Sequence, residues 1–260
     1  MIQITFLFCK FSYNLLIDKK TLLEEFIKKN NINKNLSLGE CVIIYPAIVE
    51  KFNDMQLDYC CGGNKNLEVA LKEKDIDVDK FIEDINKELE KFVFDNSSYI
   101  NWNEKNSEEL INHIVNTHHT KTFELLKDID PLLVKVFKVH YNHLPEVLTK
   151  VHKLFGALKC ELEEHLIKEE KILFPKIIEF ENTNDKTKKK ILKAEIERFI
   201  GEHEAAGDIL KELASITNDY NAPEWACTSF KLAYMKMHEL EKDLFVHIHK
   251  ENNSLFKRYQ

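Results

Sequence analysis

The most regular feature of the sequence is an apolar stripe that repeats at spacings of three and four residues. Such spacing places one apolar face along an α-helix. The stripe runs through four stretches in the later part of the chain, at about residues 107–140, 145–180, 186–217 and 224–256. The joints between them are short, at residues 143–145, 182–185 and 218–223. Short joints between long amphipathic helices predict an up-down-up-down four-helix bundle.

Polar side chains interrupt each stripe at a position where a core leucine is expected. Two stretches carry a His-x-x-x-Glu pair on the stripe, and the other two carry one inward histidine each. These side chains are His119, His165, Glu169, His203, His247 and Glu251. In the first stretch the stripe favours His119 over the neighbouring His118. A buried carboxylate without a partner costs several kcal/mol, so a lysine, an arginine or a metal has to balance these glutamates.

Composition supports the helical interpretation. The 260 residues include only 6 Gly and 5 Pro, and 44% of them are hydrophobic, which predicts an all-α protein with an ample core. A formal net charge of −7 argues against a nucleic-acid surface. No apolar run reaches the roughly 18 residues that a membrane span needs. The start of the chain lacks a basic leader region, and six cysteines are too few for a secreted disulfide framework, so we expect a cytoplasmic protein.

The pattern divides the chain into four segments. Residues 1–34 form an N-terminal extension of unknown role, and residues 35–92 predict a small helical domain. Its first helix starts at a capping box, Ser37–Glu40, in which both side chains satisfy free amides. Residues 93–106 form a polar linker, and residues 107–260 form the bundle. All eleven histidines follow the linker, which separates a small domain poor in metal ligands from a histidine-rich second domain.

Two adjacent cysteines, Cys60 and Cys61, precede Gly62 and Gly63 in the small domain. The glycines predict a turn, because they permit a left-handed backbone. The thiols have two interpretations. They are either small buried hydrophobic side chains, as most free cysteines are, or an accessible redox or metal-binding pair. Neighbouring cysteines do not easily chelate one metal, and a disulfide between them is strained.

Four histidines and two glutamates form a ligand set for two metal ions, with two imidazoles on each metal and both carboxylates as bridges. Nitrogen and oxygen ligands without thiolate favour iron or manganese, and carboxylate-bridged di-iron sites occur in bundle cores. Zinc fits the ligand types, but two bridging carboxylates favour iron. The count leaves room for an oxo bridge and a small exogenous ligand.

The sequence resembles a known family, the di-iron proteins that repair iron-sulfur clusters. These proteins join a small N-terminal Cys-Cys-Gly-Gly domain to a hemerythrin-like bundle. The resemblance runs from about Ser37 to the C-terminus. The matching segments are Ser37–Glu40, Asp58–Gly63, Leu110–His119, Glu161–Pro175, Glu202–Gly207, Ala226–Thr228 and His247–Asn253.

The resemblance implies that the six residues of the stripes bind two iron ions. It also implies that Glu161 and Glu202 line the surroundings or an access route of the site, and that Cys60 and Cys61 matter for activity. The implied function is repair of clusters damaged by oxidative or nitrosative stress, with the di-iron centre donating iron. The implied partners are damaged iron-sulfur proteins or their assembly scaffold.

Other functions remain open at this point. One is a di-iron enzyme that reduces nitric oxide or scavenges peroxide. Another is a sensor or carrier that binds oxygen or nitric oxide, as hemerythrins bind oxygen. The core of a small domain of this size is marginal on its own, so we expect it to dock either on the second domain or on another subunit, as in a homodimer.

Overall fold

The computed structural model describes residues 31–95, 101–183 and 186–260. It divides the chain into two compact units. The first contains the described residues up to Leu57 together with residues 64–101, and the second contains Asp58–Gly63 together with Trp102–Gln260. Most of the 1–34 extension and part of the 93–106 linker lie outside the described residues. The domain boundaries at 35–92 and 107–260 therefore stay predictions.

The first unit contains four helices within its described residues: α1 (Leu38–Ile44), α2 (Ile48–Asp54), α3 (Leu67–Lys72) and α4 (Val78–Asp95). The capping box predicted at the start of α1 is confirmed, because Ser37 accepts from the Glu40 amide and Glu40 accepts from the Ser37 amide. Asn66 caps α3 in the same way, through the Val69 amide. Local hydrogen bonds thus fix where these short helices begin.

The second unit contains four long rods in its described part. Rod A comprises α5 (Ser107–His113), a π-helical segment π1 (Ile114–His119) and α6 (Thr120–His140). Rod B comprises α7 (Pro145–Lys168), π2 (Glu169–Leu173) and α8 (Phe174–Thr183). Rod C is α9 (Lys186–Ile216), and rod D joins α10 (Thr228–His249) to π3 (Lys250–Leu255). Rod A packs against rods B and D, and rod B packs against rod C. None of the described helices is long and apolar enough to cross a membrane.

Two apolar clusters fill the bundle. The large cluster includes Leu126, Leu158, Leu210, Phe230 and Leu244. The small cluster includes Ile114, Phe174, Phe199, Leu255 and Phe256. Rods A and C pass from the small cluster to the large one, whereas rods B and D pass from the large cluster to the small one. Alternating order means antiparallel neighbours, so the up-down-up-down arrangement is confirmed.

The π-helical segments change which residues face inward. The spacing of apolar residues in rod B predicts both Ile172 and Leu173 on its stripe, but Ile172 is 45% exposed. The extra residue in the wide turn of π2 rotates the following chain, so Leu173, Phe174 and Ile177 are buried. A constant period of 3.6 residues cannot anticipate such a turn.

The last rod starts later than the pattern predicted. The stripe suggested a helix from about residue 224, but α10 begins at Thr228 with Cys227 in an extended conformation at its N-cap. The Ala226 amide instead donates to the carbonyl of Pro223 and closes a turn. In the segment that precedes this turn, three consecutive residues have positive φ angles: Asn218 (53°), Asp219 (52°) and Tyr220 (58°).

Candidate metal centre

The structure brings the six stripe residues into one buried layer between the two apolar clusters. Their ligand atoms form two groups, each within 4.8 Å. The first group contains His119, Glu169, His247 and Glu251, and the second contains His165, Glu169, His203 and Glu251. Both carboxylates belong to both groups, and both are completely buried. This is the arrangement that two metal positions with shared carboxylates require.

The π-helical segments supply half of this layer. His119 ends π1, Glu169 begins π2, and Glu251 lies in the first turn of π3. π-Helical turns are rare and often occur at functional sites. Here the wide turn lets a polar residue and the apolar residues beyond it both point inward.

The four imidazoles point the same ring nitrogen at the centre of the layer. His119 Nε2 lies 3.4 Å from Glu169 Oε2, and His165 Nε2 lies 3.3 Å from Glu169 Oε1. His203 Nε2 lies 3.2 Å from Glu251 Oε2, and His247 Nε2 lies 2.9 Å from Glu251 Oε1. All of these nitrogens and oxygens converge on the same small volume.

Several of these atoms are buried without a hydrogen-bond partner among the described residues. They include His119 Nε2, both carboxylate oxygens of Glu169 and Glu251 Oε2. Unpartnered buried polar atoms are costly, at about 1–3 kcal/mol each and more for charged groups. Metal ions at the two positions would satisfy them, so the residues present fit a metal centre.

The charges in the layer point to the same need for cations. Burial alone would lower the pKa of His119, but the Glu169 and Glu251 carboxylates outweigh it and raise that pKa to about 10. For Glu251 burial acts in the opposite direction and would raise the pKa of the carboxyl, yet the surrounding histidines hold that pKa well below its usual value. The carboxylates therefore stay charged and attract either protons on the imidazoles or metal ions in their place.

Three of the four imidazoles have a hydrogen-bond partner at Nδ1, the ring nitrogen that faces away from the centre of the layer. His119 Nδ1 lies 2.9 Å from Glu170 Oε1, and His165 Nδ1 lies 2.7 Å from Glu202 Oε2. His203 Nδ1 lies 2.9 Å from Asn252 Oδ1. Such contacts orient metal-binding histidines and leave the other ring nitrogen free for the metal.

Sequence reasoning found some of these positions and missed others. Glu202, which the resemblance placed around the site, contacts His165 directly. Glu161 does not join the group, because it is exposed one turn before His165. Glu170 and Asn252 were missed. Each directly follows a stripe glutamate, where a regular α-helix would turn the side chain away from its neighbours.

The sequence predicts that the other histidines lie off the layer, at helix ends or on solvent faces. They do lie outside the layer, but several of them are buried. His249 is only 3% exposed, and burial lowers its pKa to about 4. His140 is buried, and its Nε2 lies 3.1 Å from Cys227 Sγ. His118 is buried between Asp243 Oδ2, at 3.1 Å, and Lys250 Nζ, at 2.7 Å. The structure thus places His119, rather than His118, among the six.

The turn that carries the two cysteines packs on π3. Asn253 Nδ2 donates to the Cys60 carbonyl at 3.0 Å, and a Cβ at Gly63 would lie 2.4 Å from Asn253 Oδ1. Gly63 is therefore needed for this close approach. No described glycine has positive φ, so the expectation of a left-handed backbone at Gly62 and Gly63 is wrong.

The two thiols are not equivalent. Cys60 and Cys61 lie with their sulfurs 3.9 Å apart, and Asp58 Oδ1 accepts from the Cys61 and Gly62 amides at 3.0 Å each. The hydrogen bond from Cys60 lowers the pKa of the Cys61 thiol, while the same contact raises the pKa of Cys60. Lys211 Nζ lies 3.0 Å from Asp58 Oδ2. Of the two thiols, Cys61 therefore has the lower pKa, and it is also the more exposed.

The bundle and its buried histidine–glutamate layer define a protein of the hemerythrin-like, metal-binding class. Residues 110–259 match the hemerythrin HHE cation binding domain, and residues 34–89 match an N-terminal domain of unknown function, DUF542. Together with the relatives described next, these matches show that the chain belongs to the family of iron-sulfur cluster repair proteins.

Three relatives illustrate the similarity. The chain is 31% identical to the iron-sulfur cluster repair protein ScdA of Staphylococcus epidermidis over 231 residues, which cover 87% of this chain and 99% of the relative. It is 32% identical to the iron-sulfur cluster repair protein YtfE of Pectobacterium atrosepticum, over 86% of this chain and 96% of the relative. It is also 32% identical to YtfE of Escherichia coli, over 85% and 94% of the two chains. The predicted hemerythrin-like fold and the predicted family are therefore confirmed.

Proposed function

We propose that this protein restores damaged iron-sulfur clusters by donating iron from a di-iron centre in the bundle. The relatives that align with nearly all of the chain are named for cluster repair. The observation that carries the proposal is the buried layer, in which two histidine pairs share Glu169 and Glu251. The ligands we assign are the six residues of that layer.

The donor set favours iron that can be given up. Imidazole and carboxylate ligands suit iron or manganese, and they hold it less firmly than the thiolates of an iron-sulfur cluster. When bound, the two ions supply ferrous iron for rebuilding a cluster. The residues of the chain keep the site dry, hold the imidazoles with Nε2 toward the centre, and keep both carboxylates charged.

We place this activity in the cytoplasm, under oxidative or nitrosative stress. The five described cysteines are unpaired, as expected in a reducing compartment. Damaged iron-sulfur proteins or their assembly scaffold are the proposed partners. Nitric oxide and oxygen are the proposed small ligands of open metal positions.

Iron transfer to an apo-protein tests the function. Iron-loaded protein is mixed, without oxygen, with an apo-dehydratase, sulfide and a soluble ferrous chelator that captures released iron. We expect reactivation that the chelator does not suppress, whereas an equal amount of free ferrous iron is captured. The control is the Glu169→Gln, Glu251→Gln double variant taken through the same loading. Reactivation no greater than the free-iron control would contradict iron donation, and rapid nitric oxide consumption with a reductant would favour the enzyme instead.

A further inference from the structure

The two metal positions differ in the hydrogen-bond partners of the histidine Nδ1 atoms, which face away from the centre of the layer. At the position between His165 and His203, both Nδ1 atoms have a partner, Glu202 at 2.7 Å and Asn252 at 2.9 Å. At the position between His119 and His247, only His119 has one, Glu170 at 2.9 Å.

His247 Nδ1 is buried and has no hydrogen-bond partner among the described residues. The neighbouring His118 ring lies parallel to His247 with ring centroids 5.7 Å apart, so it presents a face rather than an acceptor. The nearby Asp243 carboxylate is directed elsewhere, with Oδ2 on His118 at 3.1 Å and Oδ1 near Lys121 at 3.6 Å.

The partners at the other position are themselves held. Glu202 Oε1 lies 3.6 Å from Arg198 Nε. Asn252 Nδ2 donates to the Cys60 carbonyl at 3.5 Å, which fixes the amide so that its oxygen faces His203. Both imidazoles at this position are therefore oriented before a metal arrives.

An acceptor behind a metal-binding histidine fixes its tautomer and makes the opposite nitrogen a better ligand. Loss of one such acceptor typically lowers metal affinity by about 10–100-fold. We propose that the two positions are unequal, and that the iron between His119 and His247 is bound more weakly and is the iron that the protein gives up. This inference rests on the proposed function and names the donated ion.

Partial loading tests the inequality directly. Metal-free protein receives one equivalent of ferrous iron without oxygen and is crystallised, and anomalous scattering measures occupancy at each position. We expect the occupancy of the position between His165 and His203 to be at least about tenfold higher than that of the position between His119 and His247. Equal occupancy, or more iron between His119 and His247, overturns the proposal.

A matched pair of variants tests whether the Nδ1 acceptors cause the difference in occupancy between the two positions. Glu202→Leu and Glu170→Leu each remove one acceptor, and both side chains are partly exposed, at 32% and 29%, so the fold should tolerate the change. In the same one-equivalent experiment, Glu202→Leu should bring the two occupancies closer together. Glu170→Leu should move them further apart. No change with Glu202→Leu, or the same shift with both variants, contradicts the proposal.

Isotopes link the inequality to repair. The first equivalent is loaded as iron-57 and the second as natural iron, and the repaired client is analysed by mass spectrometry. We expect the client to contain mainly natural iron. A client enriched in iron-57, or with both isotopes equally, overturns the assignment of the donated ion. Absence of any transfer would instead contradict the proposed function, and the occupancies of partly loaded protein would still report the inequality.

Discussion

The two apolar clusters of the bundle differ in the regularity of the helices around them. Apart from Tyr220 and Ala226 in the joint between rods C and D, the buried residues of the large cluster lie on regular α-helix in the four described rods. The small cluster includes residues of π1, π2 and π3, and each of these segments also carries one residue of the histidine–glutamate layer. Regular geometry packs apolar side chains efficiently, whereas the wide turns serve to place polar groups inside. Both clusters therefore stabilise the fold, and the end of the bundle that holds the small cluster also organises the site.

The largest expected effect comes from removing the charges of the layer. Glu169→Gln with Glu251→Gln should reduce the iron content from the two ions per chain that we propose to almost none, because both positions lose both carboxylates. Helix content should stay nearly unchanged, since apolar packing stabilises the rods. Metal analysis and circular dichroism measure the two quantities. Glu161→Gln, at the exposed position one turn before His165, is the control, and unchanged iron in the double variant would contradict the ligand assignment.

A pair of cavity variants compares the two clusters. Phe155→Ala in the large cluster and Phe256→Ala in the small cluster should each lower the free energy of unfolding by about 3–5 kcal/mol, because both rings are fully buried. Only Phe256→Ala should also weaken iron binding, since the Phe256 ring stacks on His203 with centroids 6.0 Å apart. Denaturant titration and iron titration measure these effects. Equal loss of iron affinity in both variants would remove the distinction between the clusters.

A titratable residue, Glu241, lies beside the large cluster, where it accepts a hydrogen bond from the Tyr220 hydroxyl. Burial raises the pKa of Glu241 to about 7, with Asp219 adding to the rise while Tyr220 and Lys242 oppose it. The folded protein therefore binds a proton more tightly than the unfolded chain, and stability should fall as pH rises from about 4.5 to 7, by on the order of 1–3 kcal/mol.

Glu241→Gln should remove this part of the pH dependence and leave iron binding unchanged. The measurement is the free energy of unfolding of metal-free wild type and variant across that pH range. Parallel curves for the two proteins would show that Glu241 does not cause the decline.

The smallest effect concerns the start of rod A, beside the small cluster. Asn106 accepts from the Glu109 amide at 2.8 Å and caps α5. Asn106→Ala should lower the free energy of unfolding by about 1 kcal/mol, while Asn106→Ser should retain most of the stability. Thermal unfolding distinguishes the two variants, and an equal loss in both would show that the cap is not the cause.

The sequence predicted the helices and the layer because both depend on local spacing. His165 with Glu169, and His247 with Glu251, lie one helical turn apart and on an apolar face, which any regular helix reveals. The π-helical segments were not predictable in this way, because an extra residue in a turn leaves no compositional signal. That gap explains why Ile172 was placed inside, and why Glu170 and Asn252 were overlooked as partners of His119 and His203.

The cysteine turn has a practical consequence for dividing the chain. Residues 58–63 count with the bundle, so the polypeptide passes between the two units at 57–58, at 63–64 and again at 101–102. A polypeptide shortened to begin at residue 107 would therefore lack a piece of its own second unit. Asn252 and Asn253 would lose the carbonyl of Cys60, and water would have to take its place beside the last turns of rod D.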